Sequence, residues 1–340
     1  MPRFARLASR LSLAGLVAAA APAMAQTTLT LSSWVPPSHV LTTSQKDWCD
    51  MLAAKVPGKI SCNALPRAVA APPGTFDAVR NGLADVSFIV HGYTPGRFVT
   101  TQMAELPFMG ESAESSSVAF QRIYERNPAM AGEHRGVKVL AVFTHGPGIV
   151  LNTKRPIASI ADLDGLKFRV GGGMVNEISK ALSMNVTLKP APESYELLST
   201  GVMDGTLFPA ESVESFKLDK TIKYATQFPG GLYNTSFALI MNQARYDALP
   251  ADVKKAVDSL SGEVAARMIG KGWDRVDRRG LAFMQANGVQ FTKADPGFVK
   301  AVGDKTAGLV DKWAEAAAAK GLSNPKKVLA DLRAELKKLQ

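Results

Sequence analysis

The 340-residue chain is poor in the residues that most enzymes and metal centres need, with two cysteines and four histidines. Cys49 and Cys62 form neither a C-x-x-C pair nor part of a Cys/His set, which speaks against a thioredoxin-like centre and a zinc site. The chain has no H-E-x-x-H, no G-x-S-x-G and no G-x-x-x-x-G-K-[ST], and Gly171–Gly173 does not complete G-x-G-x-x-G because position 176 is Asn. These absences argue against an enzyme, and neither a metal nor a cofactor is expected. Glu193 and Glu196 are near enough in sequence to pair, but at that spacing they read as a solvated helix face, as do the charged positions of 333–340. Repeats of 20–50 residues and low-complexity linkers are also missing.

Past the N-terminus no apolar stretch is long enough to span a bilayer. At the N-terminus itself Arg3, Arg6 and Arg10 precede the apolar run Leu11–Ala21, which is too short to cross. Ala23-Met24-Ala25 then offers a small-x-small cleavage pattern, so residues 1–25 read as a signal peptide and the protein as periplasmic. The net charge is +10, and removing three arginines leaves +7. Lys and Arg are dispersed rather than clustered, which with export argues against nucleic acid and for an anionic ligand. In an exported protein, the even cysteine count points to a Cys49–Cys62 disulfide.

The remaining 315 residues suffice for two α/β lobes. Strands are expected at 28–35, 59–65, 85–90 and 138–144, with helices at 41–56, 75–81 and 115–126. This rhythm predicts a parallel sheet covered by helices. After Gly146-Pro147-Gly148 a second set follows, with strands at 149–153, 166–170, 186–189 and 206–208 and helices at 174–182 and 194–199. Residues 232–242 return as a strand, 246–285 read as nearly continuous helix, and Leu329, Leu332, Leu336 and Leu339 mark a terminal helix. A cleft between such lobes is where the ligand belongs.

Two segments carry a resemblance. "SIADLDGLKFRVGGG" at 159–173 and "PAPESYELLSTGVMDGTLFPAES" at 190–212 resemble the DctP-type solute-binding proteins of TRAP transporters. "AVRNGLADVSFI", "ELPF" and "MNQARYDALPADVKKAV" resemble further landmarks of that family, in the same order. The resemblance implies a two-lobed periplasmic binding-protein fold with crossing hinge strands and a long bracing helix. It implies one lobe from 26–147 and 235–275 and a second from 148–234 and 276–340. It further implies a small organic acid as ligand, the small and large TRAP membrane subunits as partners, and a monomer. A binding protein of an ABC-type or tripartite tricarboxylate-type system shares this architecture and is the alternative.

Arg169 stands where the family has its carboxylate-binding arginine. Its guanidinium can meet both carboxylate oxygens, and the glycines and helix start beyond it add positive potential. One branch of the family has a second arginine where Gly148-Ile149 stands, and Asn where this chain has Phe208. These departures imply a monocarboxylate with an apolar or aromatic body. Other candidates lie at strand ends facing the cleft: Trp34, His91, Tyr93, Phe143, His145, Tyr233 and Asn234, with Glu211 and Tyr195 weaker. His39 and His134 read as loop residues and receive no role.

Overall fold

Eleven strands separate into two mixed sheets in the computed structural model, which describes residues 26–339. The expected signal peptide lies outside the described residues. In chain order the strands are β1 Thr27–Leu31, β2 Ile60–Ala64, β3 Val86–Val90, β4 Val137–Thr144, β5 Ile149–Asn152, β6 Lys167–Val170, β7 Asn185–Leu188, β8 Gly205–Phe208, β9 Tyr224–Gln227, β10 Ser236–Asn242 and β11 Gln290–Lys293. The first sheet has the order β2-β1-β3-β10-β4, and the second β11-β9-β5-β8-β6-β7.

The first sheet is not the purely parallel one expected. β10 returns from the second lobe and inserts antiparallel between β3 and β4, in register Phe237 to Val90 and to Phe143. In the second sheet β5 runs antiparallel to both β8 and β9. β3 is buried at all five positions, as a central strand covered on both faces must be. Each sheet has an aspartate that ties neighbouring strands. Asp85 accepts the Thr30 amide at 2.7 Å and Asp204 the Lys167 amide at 2.9 Å, which gives the family landmarks around them a structural purpose.

β9 and β11, four residues each, escaped the sequence reading. The continuous helix expected over 246–285 is broken after Asp247 and again at Leu260–Gly262, leaving a 24-residue helix, Glu263–Ala286. Pro250 lacks an amide hydrogen, and Gly262 adopts a positive φ of 64°, so both mark boundaries. This helix braces both lobes through two glycines. A Cβ on Gly270 would stand 2.6 Å from Glu114 of the first lobe, and one on Gly280 would stand 2.5 Å from the Ala210 carbonyl of the second. Between them Asp274 caps the helix Ala113–Arg126, accepting the Ala113 amide at 2.6 Å, and Asp277 accepts the Glu211 amide at 3.0 Å.

The expected assignment of all of 276–340 to the second lobe fails. β11 and the helix Pro296–Thr306 pack there, but the helices Gly308–Ala319 and Pro325–Leu339 return to the first lobe. The Trp313 indole donates to the Val99 carbonyl at 3.1 Å, and Arg122 reaches Glu335 at 3.1 Å. The leucine stripe of the last helix thus covers the helix Ala113–Arg126.

Cys49, on the helix Val40–Lys55, is bonded to Cys62 in β2, with Cα atoms 6.3 Å apart. The lobes meet closely at Gly92 and Gly172, where a Cβ on Gly92 would lie 2.6 Å from the Gly172 carbonyl oxygen. Two outcomes follow from these contacts. Reducing the disulfide should cost at most about 3 kcal/mol, because the loop of 13 residues is short; urea midpoints with and without reductant measure it. Gly92→Ala sets backbone against backbone across the cleft, so the lobes must part. Small-angle scattering should show a larger radius of gyration with unchanged circular dichroism.

Candidate functional site

The site is built around a charge with no counter-charge. Arg169 is the third residue of β6, flanked by Thr187 of β7 and Thr206 of β8, and its side chain is 2% exposed. Nε donates to the Lys189 carbonyl at 2.8 Å, and Nη2 donates to the Tyr93 hydroxyl at 3.3 Å. The guanidinium carbon sits 4.5 Å from the centre of the Phe208 ring. Tyr93 comes from the first lobe and also accepts the Ala191 amide at 2.9 Å. None of the ion pairs among the described residues involves Arg169, and no protein acceptor among them engages Nη1. An unpaired buried cation costs several kcal/mol unless an anion joins it.

Arg169 borders a cavity between the lobes. Its free space is small, about 50 Å³ for the centre of a water-sized sphere. Six of the expected residues line it: Trp34, Tyr93, His145, Arg169, Phe208 and Tyr233. So do four aromatic residues that the sequence reading did not assign to it, His39, Phe216, Phe237 and Trp273. Phe208 and Phe216 stack at 5.5 Å, and Trp34 lies 5.8 Å from Tyr93. Phe216, Phe237 and Trp273 carry ordinary core signals in sequence, and His39 lies in a turn, so only the packing of the lobes gathers them.

The other candidates serve the scaffold. Phe143 stacks on Phe237 at 5.1 Å from the far side and does not reach the cavity. Asn234 ties the crossing strands, donating to the His145 and Gly146 carbonyls at 2.8 and 3.1 Å. His91 points into the core, between Ser236 and His134, each at 2.9 Å. Glu211 is bonded to His39 Nε2 at 2.9 Å and accepts the hydroxyls of Ser212 and Ser215. Tyr195 is half exposed, and Glu193 pairs with Lys189 outside the cavity.

Even the two lining histidines are spent on the protein. His39 Nδ1 accepts the Leu41 amide at 3.1 Å and so caps the helix Val40–Lys55, which leaves the Nε2 hydrogen for Glu211. His145 donates from Nδ1 to the Gly146 carbonyl and accepts the Thr235 amide at Nε2, 3.1 Å away. Burial pushes His145 down to about 4, so it lines the cavity as a neutral ring.

Two expectations about the cleft change. Gly148 has no room for a side chain, since the Tyr233 ring occupies the space a Cβ needs, and Ile149 faces a groove away from this cavity. The helix start beyond Gly173 is also taken: Glu105 of the first lobe accepts the Met174 amide at 2.8 Å. Charge in the cavity therefore comes from Arg169, with the Tyr93 and Tyr233 hydroxyls beside it. Among the described residues no group of three or more His, Cys, Asp or Glu side chains is placed to hold a metal ion.

Comparison with known proteins agrees with this geometry. The family model for bacterial extracellular solute-binding proteins, family 7, matches residues 31–316. A TRAP periplasmic solute-binding protein from Bordetella bronchiseptica, with bound (R)-mandelate and (S)-mandelate, superposes with a TM-score of 0.89 at 44% identity, covering 92% of this chain and 100% of that one. A marine metagenome TRAP solute-binding protein specific for aromatic acid ligands, in complex with 3-hydroxybenzoate, gives 0.87 at 31% identity, covering 93% and 99%. The outer membrane transporter protein TsaT of Comamonas testosteroni is 31% identical over 321 residues, 92% of this chain and 94% of the relative. The two-lobed fold, the cleft and the matched sequence together place this chain in the DctP family of extracellular solute-binding proteins, the receptors of TRAP transporters.

Proposed function

We propose that the mature protein is a periplasmic monomer that binds a monocarboxylate carrying one aromatic ring, with Arg169 as the carboxylate clamp. It hands this ligand to the small and large membrane subunits of a TRAP transporter. The observation that carries the reading is the buried Arg169 guanidinium, which has no acidic partner among the described residues and faces a cavity walled by aromatic rings. A carboxylate supplies the missing charge through paired hydrogen bonds. The ring it carries meets Phe208, Phe216, Phe237 and Trp273, contributing about 25 cal/mol per Å² of apolar area before the cost of closing the lobes.

The small free space and aromatic lining support a compact ligand with one ring rather than a long chain. The similar proteins with bound mandelate and 3-hydroxybenzoate point to the same class of acid. A polyhydroxy acid fits poorly, because each hydroxyl left unpaired against these rings costs about 1–3 kcal/mol.

A thermal-shift screen of carboxylates tests the reading, since a ligand at 100 times its Kd stabilises the folded state by about 2.7 kcal/mol. Aromatic monocarboxylates should raise Tm most, above sugar acids and short dicarboxylates. The reverse ranking, with aromatic acids silent, defeats the aromatic assignment. Arg169→Ala should cost on the order of 3 kcal/mol in affinity by titration calorimetry while the fold persists. Arg169→Lys should also fail, because an ammonium cannot copy the planar fork. Phe208→Asn should weaken the aromatic acids selectively; unchanged affinity in the Arg169→Ala protein would remove the clamp.

A further inference from the structure

His39 and Glu211 meet across the two lobes, and both side chains are spent on the protein rather than on the acid. His39 follows β1 of the first sheet, and Glu211 follows β8 of the second. His39 Nε2 lies 2.9 Å from Glu211 Oε1, with the side chains 3% and 1% exposed.

Each partner is fixed on its own side of the cleft. On the first lobe His39 Nδ1 accepts the Leu41 amide at 3.1 Å, and the ring stands edge-on to Trp273 at 5.7 Å. That cap leaves the neutral ring one hydrogen, on Nε2, where Glu211 meets it. On the second lobe the Glu211 amide donates to Asp277, and the carboxylate accepts the hydroxyls of Ser212, at 3.3 Å, and Ser215. Both serines belong to the same short helix, Ser212–Ser215, so among the described residues His39 is the one side chain of the first lobe that bonds this carboxylate. Burial alone pushes the Glu211 carboxyl up. His39 and the two hydroxyls more than offset it and hold the group below the usual carboxylate range.

The bond lies at the edge of the ligand cavity. His39 lines that cavity from one side, and Ser212 and Phe216, just beyond Glu211, line it from the other. The His39 ring is 5.5 Å from Phe216, which stacks on Phe208, and Phe208 in turn lies against Arg169. Holding Glu211 therefore holds this stacked wall toward the first lobe.

We propose that His39 is a positioning residue whose bond to Glu211 latches the lobes shut and sets how long the ligand stays. Closure takes the Glu211 carboxylate out of water, and the His39 hydrogen replaces the water it loses. Without that hydrogen the closed form buries a carboxylate short of a partner. The open form, in which water reaches Glu211, bears no such cost. A ligand enters the open form before the latch is made, so the association rate does not depend on it. The latch breaks before the ligand leaves, so its strength is read in the dissociation rate.

This inference rests on the ligand reading above, and one set of variants separates the two. His39→Asn parts the latch from the cap, because asparagine is among the strongest N-cap residues but is too short to reach Glu211. Glu211→Ala removes the acceptor, and Glu211 neither caps that helix nor lines the cavity. Stopped-flow fluorescence follows benzoate on and off each protein, with Trp34 and Trp273 in the cavity wall as reporters. Release should be on the order of ten- to 100-fold faster in either variant, with the association rate unchanged. The double variant should release no faster than the worse single one, because both remove the same bond. His39→Gln, whose amide extends as far as Nε2, should recover part of the loss. Release at the wild-type rate in His39→Asn, with or without a lower ligand-free melting temperature, overturns the latch and leaves the ligand reading intact. So do additive effects in the double variant, or slower association in place of faster release. If benzoate does not bind the wild type, the ligand reading falls, and with it a latch that has nothing to hold in.

Discussion

A guanidinium taken out of water without a counter-ion is the constraint around which the closed molecule is organised. Arg169 cannot shed its charge as a lysine does when buried, so its surroundings have to tolerate that charge. The tolerance comes from a backbone carbonyl, a phenol and the face of Phe208, which are weak partners compared with a carboxylate. On the proposed reading, the carboxylate of the ligand completes the compensation. Tyr93 belongs to the opposite lobe from Arg169, so the cation is dressed this way only when the lobes are together.

The rest of the cleft keeps its own polar groups occupied. His39, His145, Asn234 and Glu211 spend their hydrogen bonds on a helix cap, strand crossings and one another. The cavity thus offers a cationic end and aromatic walls, with few polar groups between them. A pocket of this kind discriminates by what it declines to hydrate. On the proposed reading, hydroxylated ligands are disfavoured because their hydroxyls lose water without gaining partners.

Much of this was legible in the sequence, and the parts that were not share a cause. The order of strands and helices followed from periodicity and turn residues, and the choice of Arg169 from the resemblance to the DctP-type family. The antiparallel entry of β10 was not visible, because a run such as Ser236–Asn242 looks the same in either direction. Residues at strand ends were gathered as candidates without knowing which face each would take. Phe143 and Phe237 sit opposite each other in register, yet only Phe237 borders the cavity. His91 and His145 both follow strands of the first sheet, and one turns into the core while the other lines the cavity. Trp273 lies on the buried stripe of the amphipathic helix Glu263–Ala286. Its second role depends on how that helix lies across two lobes, and no local pattern encodes that.

The path of the chain has a consequence for how the molecule comes apart. It passes between the lobes after β4, again before β10, once along the helix Glu263–Ala286, and finally after the helix Pro296–Thr306. Neither lobe is a continuous stretch of sequence, and each has a strand or helix delivered by way of the other. Such a molecule has no separable halves to melt in turn. Loosening one sheet releases the segments that hold the second, so the whole chain is the cooperative unit. Freedom to hinge and resistance to piecemeal unfolding then have the same origin, in connections that let the lobes rotate but never let one of them fold alone.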